Sequence, residues 1–425
     1  MESEESNFKC FPCFPRQGKK YLFGFIVINF LLILYFTKLS LPKSAVKPKY
    51  SEIKRPIASI QDGTLFHIPL LKNKDLAPFY AEVNTNTWCF QHAIDVPESK
   101  KEKKCICNKH WFGFDCGIPE AVWKSQFMQG IAIKRREKPR RILYSIIVDD
   151  EYNLLDISVS NAFSYVDLFL IIQEKKANSS LSVMFKQGYL AQFQHKIMLF
   201  LYNETTINVT DKHKFLFNEA WKTAWKKLTD FHPDDILLFN HASSILSEDV
   251  LLFLKLHDGY PEHFIFKLRP LLFKFSNEIL SNQTLPTLVP FGCSFQFISS
   301  MCDYEIKNYF KSFCFESKKK AKVLKSKQWQ INESTIGNVA APSGWQCTLC
   351  CKSCDSKENS LQQKITGHIS ASTLSNKLKN DSQKEFVVVK NAFHKIPKFK
   401  FVQSDDYYFV PRVVHSLKQY SYLIE

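Results

Sequence analysis

The side chains of this 425-residue chain that could do chemistry collect in a few short runs. One reads DDILLFNHASSIL, from Asp234 to Leu246. Two acids lead into an apolar stretch, Ile236 to Phe239, which ends in Asn240, His241, Ala242, Ser243 and Ser244. Buried strands of α/β enzymes often end this way, and their ligands bind just beyond the carboxyl ends. A metal or phosphate site at that place asks for carboxylates, whereas this run offers an amide, an imidazole and two hydroxyls. A second run, RRILYSIIVDDEYNLLD, puts Asp149, Asp150 and Glu151 just past another apolar stretch. Asp149 and Asp150 are candidate metal ligands. Glu151 is a candidate catalytic or donor-binding carboxylate, or it opens a helix near the positive end of the dipole. A third run, CTLCCKSC from Cys347 to Cys354, holds two overlapping C-x-x-C pairs. Zinc ribbons separate their pairs widely, so disulfides are the favoured reading here.

These groups need elements to position them. RRILYSIIV reads as a buried strand, Glu151 to Phe163 as a helix and YVDLFLII as a second strand. KIMLFLY is a third strand, Glu219 to Leu228 an amphipathic helix, DDILLF a fourth strand, and Glu248 to Leu256 starts another helix. Strands alternating with helices predict an α/β domain over residues 140–425 with a mostly parallel sheet covered on both faces. The expectation is that Asn240 to Ser244 form a loop at a strand's carboxyl end, with Asp149 to Glu151 at the same edge.

Before this domain, Tyr21 to Thr37 is an uncharged apolar run of about the minimum length for a bilayer span. It predicts a cytosolic tail (1–20), a signal-anchor (21–37) and a Pro- and Lys-bearing stem (38–88). A cleaved signal peptide is the weaker rival, because no small-residue cleavage site follows the run. Residues 89–120 hold Cys89, Cys105, Cys107 and Cys116. Their spacing resembles half of an EGF-like module, or else a plain disulfide-tied loop. Six Asn-x-Ser/Thr acceptors, at Asn178, Asn203, Asn208, Asn282, Asn332 and Asn380, fit a glycosylated lumenal body. The net charge of +16 is scattered, and its largest cluster, Lys318 to Lys322, lacks interleaved aromatics, so no nucleic-acid partner is expected.

Several stretches occur together in one order: CICNKHWFGFDCGIP, RRILYSIIVDDEYNLLD, DDILLFNHASSIL, VLLFLKLHDGYPEHFIFKLR, GWQCTLC and PRVVHSLKQYSYLIE. From about Cys105 onward this set resembles glycosyltransferase family 17, the bisecting β-1,4-N-acetylglucosaminyltransferases. The resemblance implies a GT-A-like nucleotide-sugar fold behind a transmembrane helix, on a Golgi membrane in type II orientation. It implies transfer of N-acetylglucosamine from UDP-N-acetylglucosamine to the core mannose of an N-glycan on a glycoprotein, with Mn2+ as the usual cation. In the family's acidic motif, Asn240, His241, Ser243 and Ser244 stand where four acids are expected, so the manganese role is in doubt. These four and Arg269 are the implied donor-site slots; Asp156 and Asp167 join Glu151 as candidate catalytic carboxylates. Asp167 sits among apolar neighbours, where a structural hydrogen bond explains it equally well. Ser158 replaces an implied Arg and Gln173 an implied Glu. The resemblance also keeps Cys347 and Cys350 and offers Cys293 as a disulfide partner. A protonated His241 could face the diphosphate directly, and restoring acids at the four slots should raise manganese affinity. The alternative is a non-catalytic Golgi protein that binds glycans or another transferase.

Overall fold

The computed structural model describes residues 58–59, 68–69, 78–174, 181–202, 209–272, 274–279, 288–306, 334–348, 350, 399–403, 405–416 and 418–424. All of them fall in one of two compact units, Pro56–Glu425. The apolar run 21–37, the tail before it, most of 38–88 and all six acceptor asparagines lie outside the described residues.

The main strands in chain order are β1 (Ala58–Ser59), β2 (Ile142–Val148), β3 (Leu168–Glu174), β4 (Ile197–Tyr202) and β5 (Ile236–His241). Next come β6 (Ser244–Leu246), β7 (Phe264–Phe266), β8 (Arg269–Leu272) and β9 (Lys274–Ile279). The last four are β10 (Phe291–Ser294), β11 (Ser334–Ile336), β12 (Gly344–Thr348) and β13 (Phe399–Phe401). Eight of these form one sheet in the order β1-β4-β3-β2-β5-β10-β7-β11, and five form a second in the order β6-β12-β8-β9-β13. Three helices matter for the site: α1 (Tyr152–Ala162), α2 (Val209–Lys227) and α3 (Glu248–Leu256).

The strand β2 is buried at every position, as a strand covered on both faces must be. Its side chains alternate between two cores. Tyr144, Ile146 and Val148 pack with Leu155 and Val159 of α1, whereas Leu143 and Ile147 pack with Phe217 and Trp221 of α2. The Trp221 indole N–H donates to the Ser145 hydroxyl at 2.8 Å, so this buried polar side chain of β2 is satisfied in place. At the amino edge, the Arg141 guanidinium holds Asp235 through two bonds of 2.8 and 2.6 Å, tying β2 to β5 before their paired run begins.

The expected mostly parallel sheet behind a membrane helix is corrected by these elements. The strand β10 runs antiparallel to both of its neighbours, β5 and β7, and breaks the parallel series. Gly292 permits this insertion: a Cβ there would lie 2.5 Å from a Phe264 ring carbon and 2.7 Å from a Leu238 methyl. In the second sheet, three of the four ladders are antiparallel. Gly344 is needed there too, since a Cβ would overlap the Ile245 carbonyl oxygen across the β6–β12 ladder. Among the described residues, no helix is long and apolar enough to cross a membrane. The architecture is therefore mixed α/β, with two sheets.

The cysteine-rich segment forms the pairs Cys89–Cys105 and Cys107–Cys116. It shares a core with the domain, because Phe90, Trp111 and Cys116 pack on Leu252 and Leu256 of α3. Cys347 pairs with Cys350. The expected disulfide of Cys293 is absent: this thiol is free and buried in β10, beside Phe297 and Ile298, and across the ladder from Leu237.

Candidate functional site

The register of β2 and β5 builds the site. These strands are parallel, with Ile147 opposite His241, so the residues that follow β2 emerge beside the end of β5. Asp149 and Asp150 make the turn, and Glu151 takes the cap position before α1, where its carboxylate accepts the Asp150 N–H at 3.2 Å. The backbone amide donors at a helix start favour a carboxylate at this place.

His241 faces these acids. Its Nε2 lies 3.3 Å from an Asp149 oxygen, and its Nδ1 lies 2.8 Å from the Ser243 hydroxyl and 3.2 Å from the Ser243 N–H. One ligand atom from each of Asp149, Glu151 and His241 falls within 4.8 Å of the others. The imidazole is nearly buried while Asp149 is 39% exposed, so the cluster opens to solvent on its acidic side. The Ser243 N–H can only donate, so Nδ1 accepts and the proton of the neutral imidazole sits on Nε2, toward Asp149.

Four further residues share this edge. His213 of α2 presents its ring 5.8 Å from that of His241. Burial, and then the neighbouring His241, hold its pKa below the usual histidine value. Lys212 reaches Glu174, at the end of β3, over 3.5 Å and lies over the Tyr202 ring at the end of β4. The helix starts earlier than the expected Glu219, at Val209, which brings His213 into play. A signal for it existed: His213, Phe217 and Trp221 recur at four-residue steps, the spacing of one helix face.

The expected loop from Asn240 to Ser244 is a correction. Asn240 and His241 are the last residues of β5, Ala242 and Ser243 make a tight corner, and Ser244 begins β6. Alternation along the strand turns Asn240 away from His241. The Asn240 amide donates to the Tyr144 hydroxyl and to the Ser244 carbonyl, the latter at 2.7 Å, and its side chain is fully buried. Among the described residues, the Asn240 carbonyl oxygen and the Ser244 hydroxyl are buried polar atoms with no hydrogen-bond partner.

Other expected site residues serve elsewhere. Asp167 accepts the Ile142 N–H at 2.8 Å and the Lys255 ammonium at 2.7 Å. Ile142 opens β2, so Asp167 lies at the amino edge of the sheet, roughly 20 Å from the cluster at the other end of a seven-residue strand. Asp156 accepts from Ser160, Gln419 and the Tyr420 hydroxyl, and so clamps the C-terminal segment onto α1. Arg269 donates to the Tyr408 carbonyl at 2.7 Å and to Asp406 at 3.0 Å within the second sheet's surroundings. Neither Asp156, Asp167 nor Arg269 joins the cluster.

A mixed α/β domain with carboxylates and imidazoles gathered at the carboxyl edge of parallel strands has the layout of a ligand-binding α/β protein. Residues 120–289 match the sequence model of glycosyltransferase family 17. A β-1,4-mannosyl-glycoprotein 4-β-N-acetylglucosaminyltransferase of Homo sapiens is 28% identical over 186 residues, covering 41% of this chain and 35% of that protein. The Rattus norvegicus and Mus musculus proteins of the same name are each 27% identical over 186 residues. The match thus spans about a third of the length of these curated relatives, 35% in each case. Through this region the chain is similar to glycosyltransferase family 17.

Manganese prefers oxygen donors. Of the four slots where acids are expected, Asn240 and Ser244 turn into the interior, and only His241 and Ser243 meet at the cluster. These slots do not fit a manganese site.

Proposed function

We propose that this chain is an N-acetylglucosaminyltransferase that takes UDP-N-acetylglucosamine at the carboxyl edge of β2 and β5. The acceptor is the mannose of an N-glycan on a glycoprotein, in the oxidising lumen of the Golgi. The observation that carries this reading is the convergence of Asp149, Glu151 and His241 at that edge, inside the region that matches the family. The described disulfides favour an oxidising compartment.

The chemistry asks little of the chain. The acceptor oxygen bonds to the anomeric carbon as the bond from that carbon to the diphosphate breaks, and the hydroxyl proton must go to a base. Glu151 is the carboxylate presented at a helix start beside the opening, and it takes that role. The leaving diphosphate is negative, and His241, when protonated, together with Lys212 supplies positive charge at the same edge. Asp149 holds the protonated imidazole in place.

The test uses the full-length protein, UDP-N-acetylglucosamine and an N-glycan acceptor, in chelator, with product read by mass spectrometry. Transfer is expected, with Glu151→Gln lowering it about 10²-fold or more while donor binding persists. A protein that neither binds the donor nor transfers overturns the reading. Donor binding without transfer selects the second reading, a non-catalytic glycan- or donor-binding relative, which the buried Asn240 and Ser244 favour.

A further inference from the structure

The groups at this edge have a donor set that the manganese reading does not use. Asp149 and Glu151 offer oxygen and His241 offers nitrogen, all within 4.8 Å of one another. Ligands around one tetrahedral divalent ion stand about 3.4 Å apart when each bond is about 2.1 Å. Small side-chain rotations would close the set. His213 adds a second imidazole from the facing helix, with its ring 5.8 Å from that of His241. Two imidazoles on one tetrahedral ion place their rings roughly 5 Å apart, given metal–nitrogen bonds of about 2.0–2.1 Å.

An ion at Nε2 displaces the proton that faces Asp149 and requires one on Nδ1. The Ser243 hydroxyl, 2.8 Å from Nδ1, accepts that proton in place of the longer 3.2 Å bond that Nδ1 takes from the Ser243 N–H. Metal-bound histidines are commonly oriented by such a partner on the second nitrogen. Imidazole nitrogen suits zinc, copper, iron and nickel better than manganese, and two imidazoles with two carboxylates make a four-coordinate zinc-type set.

We propose that Asp149, Glu151, His241 and His213 form a zinc-class divalent cation site at the carboxyl edge of β2 and β5. The ion would take up Glu151 as a ligand and so remove the base assigned above. Zinc is therefore an inhibitor of this chain and not its cofactor. The inhibitory consequence rests on the transfer reading; the binding does not.

The test strips the full-length protein with chelator and titrates it with zinc, cobalt or manganese alone. Bound metal is measured by elemental analysis after dialysis and by calorimetry. Cobalt is followed by its visible absorption, which reports nitrogen ligation and coordination number. One zinc per chain is expected at this site, bound far more tightly than manganese. His241→Gln and His213→Gln should each weaken zinc by more than about 10-fold and change the cobalt spectrum, and Ser243→Ala should weaken it about 10- to 100-fold. Thermal unfolding of every variant in chelator checks that the fold is intact, and Ser243→Ala, which removes one hydroxyl, keeps the test valid where a histidine variant unfolds. Zinc affinity unchanged by all three substitutions, or manganese bound as tightly as zinc, overturns the site. If zinc binds as expected but does not slow transfer, the site stands and the role of Glu151 as base falls. If zinc binds and no transfer is seen in chelator, the site stands and the transferase reading fails by itself.

Discussion

Asn240→Asp puts an acid back at the first slot of the degenerate motif, and the structure predicts that it harms the protein. The Asn240 side chain is fully buried, and its amide donates to the Tyr144 hydroxyl and, at 2.7 Å, to the Ser244 carbonyl. An ionised carboxylate there can still accept a bond from Tyr144 if the phenol turns. It cannot donate to the Ser244 carbonyl, which is left facing a like partial charge. Leaving an uncompensated buried charge costs about 3–5 kcal/mol. At about 1.4 kcal/mol per pH unit, that raises the new carboxyl by roughly two to four units above its ordinary value near 3.9. The folded pKa then exceeds the unfolded one, so the folded state holds the proton more tightly. The deficit relative to the natural protein is smallest at acid pH, grows as pH rises through the folded pKa and then levels off. Urea unfolding of the full-length protein and the variant at pH 5 and pH 8 measures this directly. The deficit at pH 8 should exceed that at pH 5 by about 1.5–3 kcal/mol. A pH-independent deficit, or a gain in manganese affinity from this substitution alone, would refute the reasoning.

Other outcomes follow from the same geometry. Lys255→Met removes the 2.7 Å partner of Asp167, and should cost about 1.5–3 kcal/mol of stability in urea unfolding while donor binding is unchanged. Loss of donor binding in an otherwise folded Lys255→Met protein would return Asp167 to the site. The histidines His92, His195 and His213 all have pKa values pushed down, with burial the largest cause of each. A histidine depressed on folding adds stability that is fully present above its unfolded value near 6.5 and lost as pH falls through the folded value. Thermal midpoints measured in chelator should therefore fall on acidification below about pH 6.5, and His213→Asn should flatten part of that fall.

The sequence carried the α/β body well, for a physical reason. The runs Ile142–Val148 and Ile236–Phe239 are continuous and apolar, and only strands covered on both faces bury such runs entirely. The shared edge of Asp149–Glu151 and His241 followed from that alternation of strands and helices. What the sequence concealed was set by tertiary pairing. FGCS, from Phe291 to Ser294, has nothing in its own pattern to say that it runs against its neighbours, although Gly292 is what lets it lie so close to Leu238 and Phe264. The polar residues Asn240 to Ser244 suggest a loop in the sequence. Asn240 nonetheless belongs to the strand, and a strand sends adjacent residues to opposite faces. His213 is inconspicuous in the sequence because it stands between Lys212 and Lys214, which hide the apolar stripe that it heads.

The second sheet's core has an implication for how the chain comes into being. Leu154 and Ile157 of α1, Ile245 of β6 and Trp345 of β12 share that core with Val402, Phe409, Val410, Val414, Tyr420 and Leu423. The Tyr408 carbonyl accepts both the Arg269 guanidinium and the Trp345 indole, each at 2.7 Å. The large sheet needs none of these late residues, so it can form while the remainder is still being synthesised. The face of α1 turned toward the second sheet cannot be covered until the residues from Val402 to Leu423 have left the ribosome. During that interval an apolar helix face is bare next to the very turn that carries Asp149 and Glu151. A nascent chain halted before Val402 would thus be a client for chaperones, not a smaller working version of the protein.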